Sequence, residues 1–331
     1  MLTSEVLQCS FSNWYKLLGD CSIESDIIRI DEKFIEYLLS DGIILPESCN
    51  SEQIHHNSIA NDCCYDEEQF VSEVLENQTE SRDECGDDLQ VIEFPSIEKQ
   101  LRRCLRKFQH VFVKLNWSSC EDSCWMHATR TKCSDLTSIF LLLKSSDKIV
   151  HDLTDPFEGC EDSDRINREV FNYELIVRKW IEINPSMEFR CFIVNQTIVA
   201  ISQRDVRTYY EHIAKEQSII VQDIFEFFNN RIRAKFPLHN YVIDVFRPDI
   251  NSIVLIDVNV FGPLTDSLLF DWEELIAISN RNDLDNLSSL PEFRFIENHC
   301  GIQPQRFEYN SLPLDVLNGN ISNVFDDSNL I

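Results

Sequence analysis

Two aspartates and an asparagine mark the place where this chain could do chemistry. In the stretch VLIDVNVFGP, residues 254–263, Asp257 and Asn259 interrupt an apolar, β-branched run closed by Gly262-Pro263. Two residues apart in a strand, both side chains fall on one face. A second strand-like run at 242–247 carries Asp244, and the turn-rich link 248–252 joins the two runs as a hairpin. Setting Arg247 opposite Val254 puts Asp244 opposite Asp257, with Cβ atoms roughly 5 Å apart. Carboxylates that close repel, and one takes up a proton unless a cation lies between them. Oxygen-only donors suit Mg²⁺, which commonly uses one or two carboxylates together with phosphate oxygens. Two plainer readings stand beside this one: solvent-facing acids on an edge strand, and a general base acting without metal.

Phosphates would need cations of their own. Lys114 lies inside the apolar strand VFVKLNW, which points to an ammonium held at a chosen place, although a snorkelling surface lysine would read the same. Arg178 and Lys179 end the run ELIVRKW, and Arg190 sits in MEFRCFIV. An arginine among strand residues suits bidentate phosphate or carboxylate binding, while an ion pair to Glu188 would give the same sequence. Trp180-Ile181 is an apolar turn against which a purine could lie. Only 7 glycines occur, none close together, so neither a dinucleotide-binding fingerprint nor a Walker A loop is present.

The elements that must position these groups follow from periodicity and punctuation. Strands are expected at 27–30, 110–116, 173–180, 189–194, 197–203, 242–247 and 253–258, and helices at 32–40, 96–108, 136–144, 209–234 and 271–279. Phe11, Trp14, Tyr15, Leu17 and Leu18 form an amphipathic cluster near the start. Strands and helices mix without regular βαβ alternation, which points to α+β.

A chain of 331 residues with 57 acidic and 29 basic side chains carries a formal charge of −28. That field repels nucleic acid and anionic lipid, so neither is an expected partner, while a basic protein surface is. Residues 46–90 are dominated by acidic and polar residues with Arg82 the only basic one, and they read as a solvated, disordered insertion. No apolar run is long enough to span a bilayer, and the start lacks a signal-peptide pattern. A cytoplasmic protein with reduced thiols is the expectation for its 13 scattered cysteines. Cys120, Cys124, His127 and Cys133 could in principle ligate zinc, but their spacing fits no usual knuckle.

The order of parts (strand lysine, apolar hinge, strand arginine, aspartate, then Asp-x-Asn strand) resembles the ATP-grasp fold, two α+β lobes with ATP held between them. The stretches QCSFSNWY, KLNWS, SIFLLLKSSD, VRKWIEI, MEFRCFIV, AISQRDVRTYYEHI and IDVNVFGPLTDSLLFDWEEL resemble the cell division cycle protein 123 family, over roughly residues 7–45 and 93–277. The resemblance implies an ATP-grasp protein that binds ATP and Mg²⁺. It further implies assistance to the assembly of translation initiation factor 2, through its gamma subunit, so that the alpha subunit can join. It divides the chain into 1–45 and 91–177 as the first lobe, the acidic insertion 46–90, a second lobe at 178–290 with the Mg²⁺ site, and a polar tail at 291–331. Carried over by position, Lys114 and Asn116 would meet the phosphates. Arg178, Lys179, Trp180 and Ile181 would hold the adenine, and Arg190 would support the phosphates with Ser202 lining the site. Asp244, Asp257 and Asn259 would hold Mg²⁺. The chain departs from the family pattern at Val113, in the loop 119–124, and at Val260, where the family usually has Pro.

The resemblance assigns no catalysed reaction. Its rival is an ATP-grasp ligase that activates a carboxylate as an acyl phosphate for attack by an amine. A kinase reading of Gln203-Arg204-Asp205 lacks a glycine-rich loop and a DFG run. A scaffold that uses the fold without nucleotide is the remaining alternative.

Overall fold

The computed structural model describes residues 1–49, 92–127, 129–163, 171–279 and 291–298. The acidic insertion falls almost wholly outside them, as does most of the expected tail. Two sheets make the framework. The smaller has three antiparallel strands in the order β1 (Ser25–Arg29), β3 (Glu174–Lys179), β2 (Val111–Lys114). The larger has five, in the order β7 (Ser252–Val260), β6 (Tyr241–Asp249), β4 (Glu188–Val194), β5 (Thr197–Gln203), β8 (Glu292–Arg294). All its pairings are antiparallel except the last, where β8 runs parallel to β5. The α+β class expected from the sequence is present.

The smaller sheet buries one face against α3 (Glu32–Leu39), α4 (Pro95–Phe108), α5 (Leu136–Lys144) and α6 (Asp147–Thr154), around Phe34, Leu101, Phe140, Val113 and Val177. Helix starts are capped as their sequences dictate: the Asp31 carboxylate accepts from the Phe34 amide, Asp135 from Ser138 and the Ser146 hydroxyl from Ile149. The larger sheet packs one face on α7 (Glu211–Phe227), through Cys191, Ile201, Ile243, Val245 and Ile224. The same core takes in Phe11, Trp14 and Leu18 from α2 (Phe11–Leu18) together with Ile176 of β3, so α2 ties the two sheets together. Leu17, expected in that amphipathic cluster, is 44% exposed on the opposite side of the helix.

The opposite face of the larger sheet is apolar over only part of its area. There Phe192, Val194, Ala200 and Val242 pack under Phe270 and Leu275 of α8 (Trp272–Ser279) and its approach. The rest of that face is polar.

One local feature follows the sequence reading and two depart from it. The β4–β5 hairpin turns on Asn195 and Gln196, both at positive φ (49° and 59°), the twist-compatible geometry of a tight two-residue turn. The expected helix 209–234 ends its α-helical part at Phe227 and continues as a π-turn over Phe228–Ile232, where the Arg233 amide reaches the Phe228 carbonyl. Residues 292–294, expected in the polar tail, form β8. Arg294 there clamps Glu274 at 2.6 and 2.9 Å, and the Ile296 amide donates to the Gln203 side chain. Among the described residues, no helix is long and apolar enough to cross a membrane.

Candidate functional site

The polar half of the larger sheet is organised by strand register. Asp257 pairs with Asp244, Asp244 with Arg190, Arg190 with Ser202, and Ser202 with Arg294. Directly paired residues share a face, so these five form a row across all five strands. Asn259, two residues beyond Asp257, lies on the same face. The expected hairpin is therefore present, but its register differs from the assumed one. Val254 pairs with Phe246, not with Arg247, and a bulge at Ile256 then shifts the ladder by one residue so that Asp257 meets Asp244. Arg247 instead turns to α7, donating to Asp223 (2.7 Å) and Glu216 (3.2 Å), and is 1% exposed.

Each carboxylate of the row holds a cation. The Arg190 guanidinium donates to both oxygens of Asp244, Nε to Oδ1 and Nη2 to Oδ2, each at 2.7 Å, and its Nη1 reaches the Asp266 carbonyl at 2.7 Å. Both side chains are buried. Lys114, on β2 of the other sheet, crosses to Asp257 with Nζ 2.5 Å from Oδ2, and lies 5.7 Å from the centre of the Phe11 ring. It is 2% exposed, so the surface-lysine alternative is excluded. The Asn259 amide donates to Asp244 at 3.3 Å. Burial by itself pushes the Asp244 carboxyl up, but Arg190 and Arg204 outweigh it and hold the carboxyl below its usual range.

The alternative partner of Arg190, Glu188, is taken by Arg204 at 3.2 Å. Burial lowers the Arg204 guanidinium, yet Asp244, Glu188 and Glu121 together raise it above its ordinary value. Glu121, which opens the short 3₁₀ segment Glu121–Met126, has Lys148 of α6 3.8 Å away. Arg204, Glu188, Glu121 and Lys148 thus add alternating charge beside the row. Sequence reading passed over them because Arg204 sits in a run considered only as a kinase motif, and Glu188 only as a partner for Arg190.

Other candidates serve the framework. Asn116 is 2% exposed with its amide committed: Nδ2 donates to the Ser10 hydroxyl (3.2 Å) and the Asn172 carbonyl (3.1 Å), and Oδ1 accepts from the Glu174 amide (2.9 Å). It stitches the start of α2 to β3 and is not brought to the charged row. Arg178 is 3% exposed and reaches β7; its Nη1 donates to the Ile256 carbonyl at 2.8 Å and its Nη2 to the Ser22 hydroxyl at 3.1 Å. Ile256 is the extra residue of the bulge, so Arg178 takes up a carbonyl displaced from the regular ladder. Burial pulls the Arg178 guanidinium down to about 10, against the opposing pull of Asp257.

β3 ends at exposed Lys179, whose amide donates to the Glu24 carbonyl. Trp180 and Ile181 follow, both half-buried. The Trp180 amide donates to His110, and its indole Nε1 is buried with no hydrogen-bond partner. Ser202 is fully buried in the row, donating to the Gln203 carbonyl and accepting from the Leu269 amide at 3.4 Å.

Asp244, Asp257 and Asn259 supply two carboxylates and one amide oxygen. Among the described residues no group of three or more His, Cys, Asp and Glu could hold a metal by itself. A set this sparse fits a hard ion that keeps water and phosphate oxygens in its shell, such as Mg²⁺, better than one needing a full protein cage. The cysteine loop fits zinc poorly. Cys120 and Cys133 are buried, Cys124 accepts from Arg130 at 3.9 Å, and the His127 ring meets Thr129. Burial pushes the Cys133 thiol up to about 12, away from the thiolate that zinc requires.

Comparison with known proteins gives a consistent picture. Residues 14–320 match the D123 family. A protein of Xenopus tropicalis named translation initiation factor eIF2 assembly protein is 39% identical over 323 residues, covering 95% of this chain and 91% of that protein. Cell division cycle protein 123 of Yarrowia lipolytica is 36% identical, covering 97% of this chain and 81% of that protein. The solved structure of Cdc123 from Schizosaccharomyces pombe superposes with a TM-score of 0.69 at 27% identity, over 90% of this chain and 99% of that one.

Proposed function

The chain belongs to the D123 family, and from that premise we propose that it is an assembly factor for translation initiation factor 2 that binds ATP together with Mg²⁺. The assembly role rests on the relatives that carry that name. The nucleotide role rests on one observation: Lys114 and Arg190 meet two opposed, inward-facing aspartates where the two sheets approach each other. Cations and oxygen donors interleaved in this way are what a metal-bound polyphosphate needs.

In this reading Asp244, Asp257 and Asn259 hold the metal. Lys114 and Arg190 exchange their carboxylate partners for phosphate oxygens, with Arg204 and Lys148 adding positive potential at the rim. The metal when bound neutralises phosphate charge and fixes the orientation of the chain of phosphates. Trp180 and Ile181 offer an apolar surface for the base, and the free Trp180 indole N–H is available as a donor. Arg178 and Asn116 contribute by holding β7 and α2 in place. The partner is the gamma subunit of the factor, and the protein acts in the cytoplasm.

Two measurements test this. Thermal unfolding with ATP and Mg²⁺ should give a stabilisation of about 2.7 kcal/mol at a ligand concentration 100 times Kd. No shift at millimolar nucleotide would remove the ATP reading. A pull-down from cytosol with and without ATP and Mg²⁺ should recover the gamma subunit, and failure under both conditions would remove the assembly reading. Release of ADP with formation of a new amide in cell extract would favour a ligase instead.

A further inference from the structure

We propose that Lys114 and Arg190 are built-in counter-cations that keep a divalent metal out of the Asp244–Asp257–Asn259 site until a polyphosphate draws them away, so that metal and nucleotide bind as a coupled pair. This deepens the nucleotide reading above and rests on it.

Three features of the site carry the inference. Arg190 covers both oxygens of Asp244 with parallel 2.7 Å bonds. Lys114 approaches Asp257 to 2.5 Å from the other sheet, with its ammonium buried under Phe11. Asn259 turns its amide nitrogen, not its oxygen, toward Asp244. Both carboxylates are therefore engaged by internal cations, and the Asn259 amide nitrogen occupies the side facing Asp244. A metal arriving alone must expel an ammonium and a guanidinium that are almost wholly buried, leaving each without a counter-charge. A polyphosphate removes that obstacle by giving both cations new anionic oxygens. The two ligands then favour each other, and by linkage each raises the other's affinity by the same factor.

The magnitude should fall in the upper part of the usual range for coupled sites, about 100-fold. The probe is Mn²⁺ followed by calorimetry or by the paramagnetic signal of the free ion, with and without a non-hydrolysable ATP analogue. In the wild-type protein Mn²⁺ alone should bind at least about 100-fold more weakly than with the analogue. In Lys114→Met, Asp257 has lost its internal cation, and Mn²⁺ alone should bind about 10-fold or more tightly than it does to the wild type. Unchanged metal-only binding in folded Lys114→Met would overturn the inference, because the coupling would then come only from direct contact between metal and phosphate. A second measurement needs no variant. The Nε–H resonance of Arg190 in the wild-type protein should move on adding the analogue without metal and stay in place on adding Mg²⁺ alone. Movement of that resonance with Mg²⁺ alone would overturn it equally. If the analogue with Mg²⁺ binds to no form of the protein, the nucleotide reading falls and this inference falls with it.

Discussion

Replacing Arg190 by Met tests how much the charged row contributes to the fold. The guanidinium makes three bonds of 2.7 Å, two to Asp244 and one to the Asp266 carbonyl, and Asp244 is 3% exposed. Methionine fills much of the volume but leaves the carboxylate with the 3.3 Å contact from Asn259. Breaking a buried ion pair from one side costs roughly 3–5 kcal/mol. Arg204 also acts on Asp244 and offsets part of that, so about 3 kcal/mol is expected. Removing both charges, as in Arg190→Met with Asp244→Leu, should return most of the loss, since neither member of the pair is left buried without its partner.

The pH dependence gives a second handle. The Asp244 carboxyl in the folded protein lies below its ordinary value because the two arginines outweigh burial. Its ionised form therefore contributes stability above the unfolded carboxylate value of about 3.9, and that contribution fades as pH falls through the depressed folded value. In Arg190→Met burial meets less opposition and the folded value rises. The stability gap to the wild type should then narrow between about pH 7 and pH 4, as the variant protonates Asp244 first. Urea denaturation across that range reads both effects. A loss under about 1 kcal/mol near neutral pH, or a gap that widens on acidification, would refute the reasoning.

Other substitutions separate binding from framework. Asp257→Asn should remove the Mg²⁺-dependent part of the ATP thermal shift while far-ultraviolet circular dichroism stays that of the wild type; an unchanged shift would sink the metal assignment. Asn116→Ala breaks three internal bonds and should cost about 2–3 kcal/mol in denaturant unfolding, with the ATP shift retained below the new Tm. Full stability with lost ATP binding would restore its phosphate role. Arg178→Met leaves the Ile256 carbonyl without its donor and should cost about 1.5–3 kcal/mol, accompanied by faster amide exchange along β7. Cys133, buried with its thiol near 12, should react with a thiol reagent at pH 8 only as fast as the protein opens; immediate labelling of the native protein would contradict its placement.

Much of this site could be read from residue types. A strand carrying Asp-x-Asn opposite another carrying Asp needs only the two-residue period of β structure, and the face shared by Asp244, Asp257 and Asn259 follows from it. The assumed register led to the correct pair for an incomplete reason, because the bulge at Ile256 compensates a one-residue offset at Val254. Bulges arise where twist and tertiary anchors compete, and the anchor, Arg178, lies on a strand 78 residues away. The same limit explains Asn116 and Arg178. A polar residue at a strand end looks alike whether it awaits a ligand or satisfies a buried backbone group, and only the third dimension tells which. Arg190 illustrates the reverse. Its type predicted bidentate carboxylate binding, but its partner is Asp244 across the ladder, not Glu188 two residues before it. β8 was hidden because three residues paired at a sheet edge leave almost no periodicity.

The Arg178 bond to the bulge has a mechanical corollary. Its donor stands near the end of β3, just before the segment that joins the two sheets, and its acceptor lies on the sheet beyond that segment. Together with the neighbouring bond from the Ser22 hydroxyl to the Leu255 carbonyl (2.7 Å), it pins β7 at two adjacent residues, so a relative rotation of the sheets that preserves both bonds has its axis close to them. Displacements are then smallest beside Ile256 and grow with distance from it. Asp257, the next residue, sits close to the pivot and would keep its position through such a swing. An anchor placed this way lets a cleft change its aperture while the carboxylate at its root stays aligned.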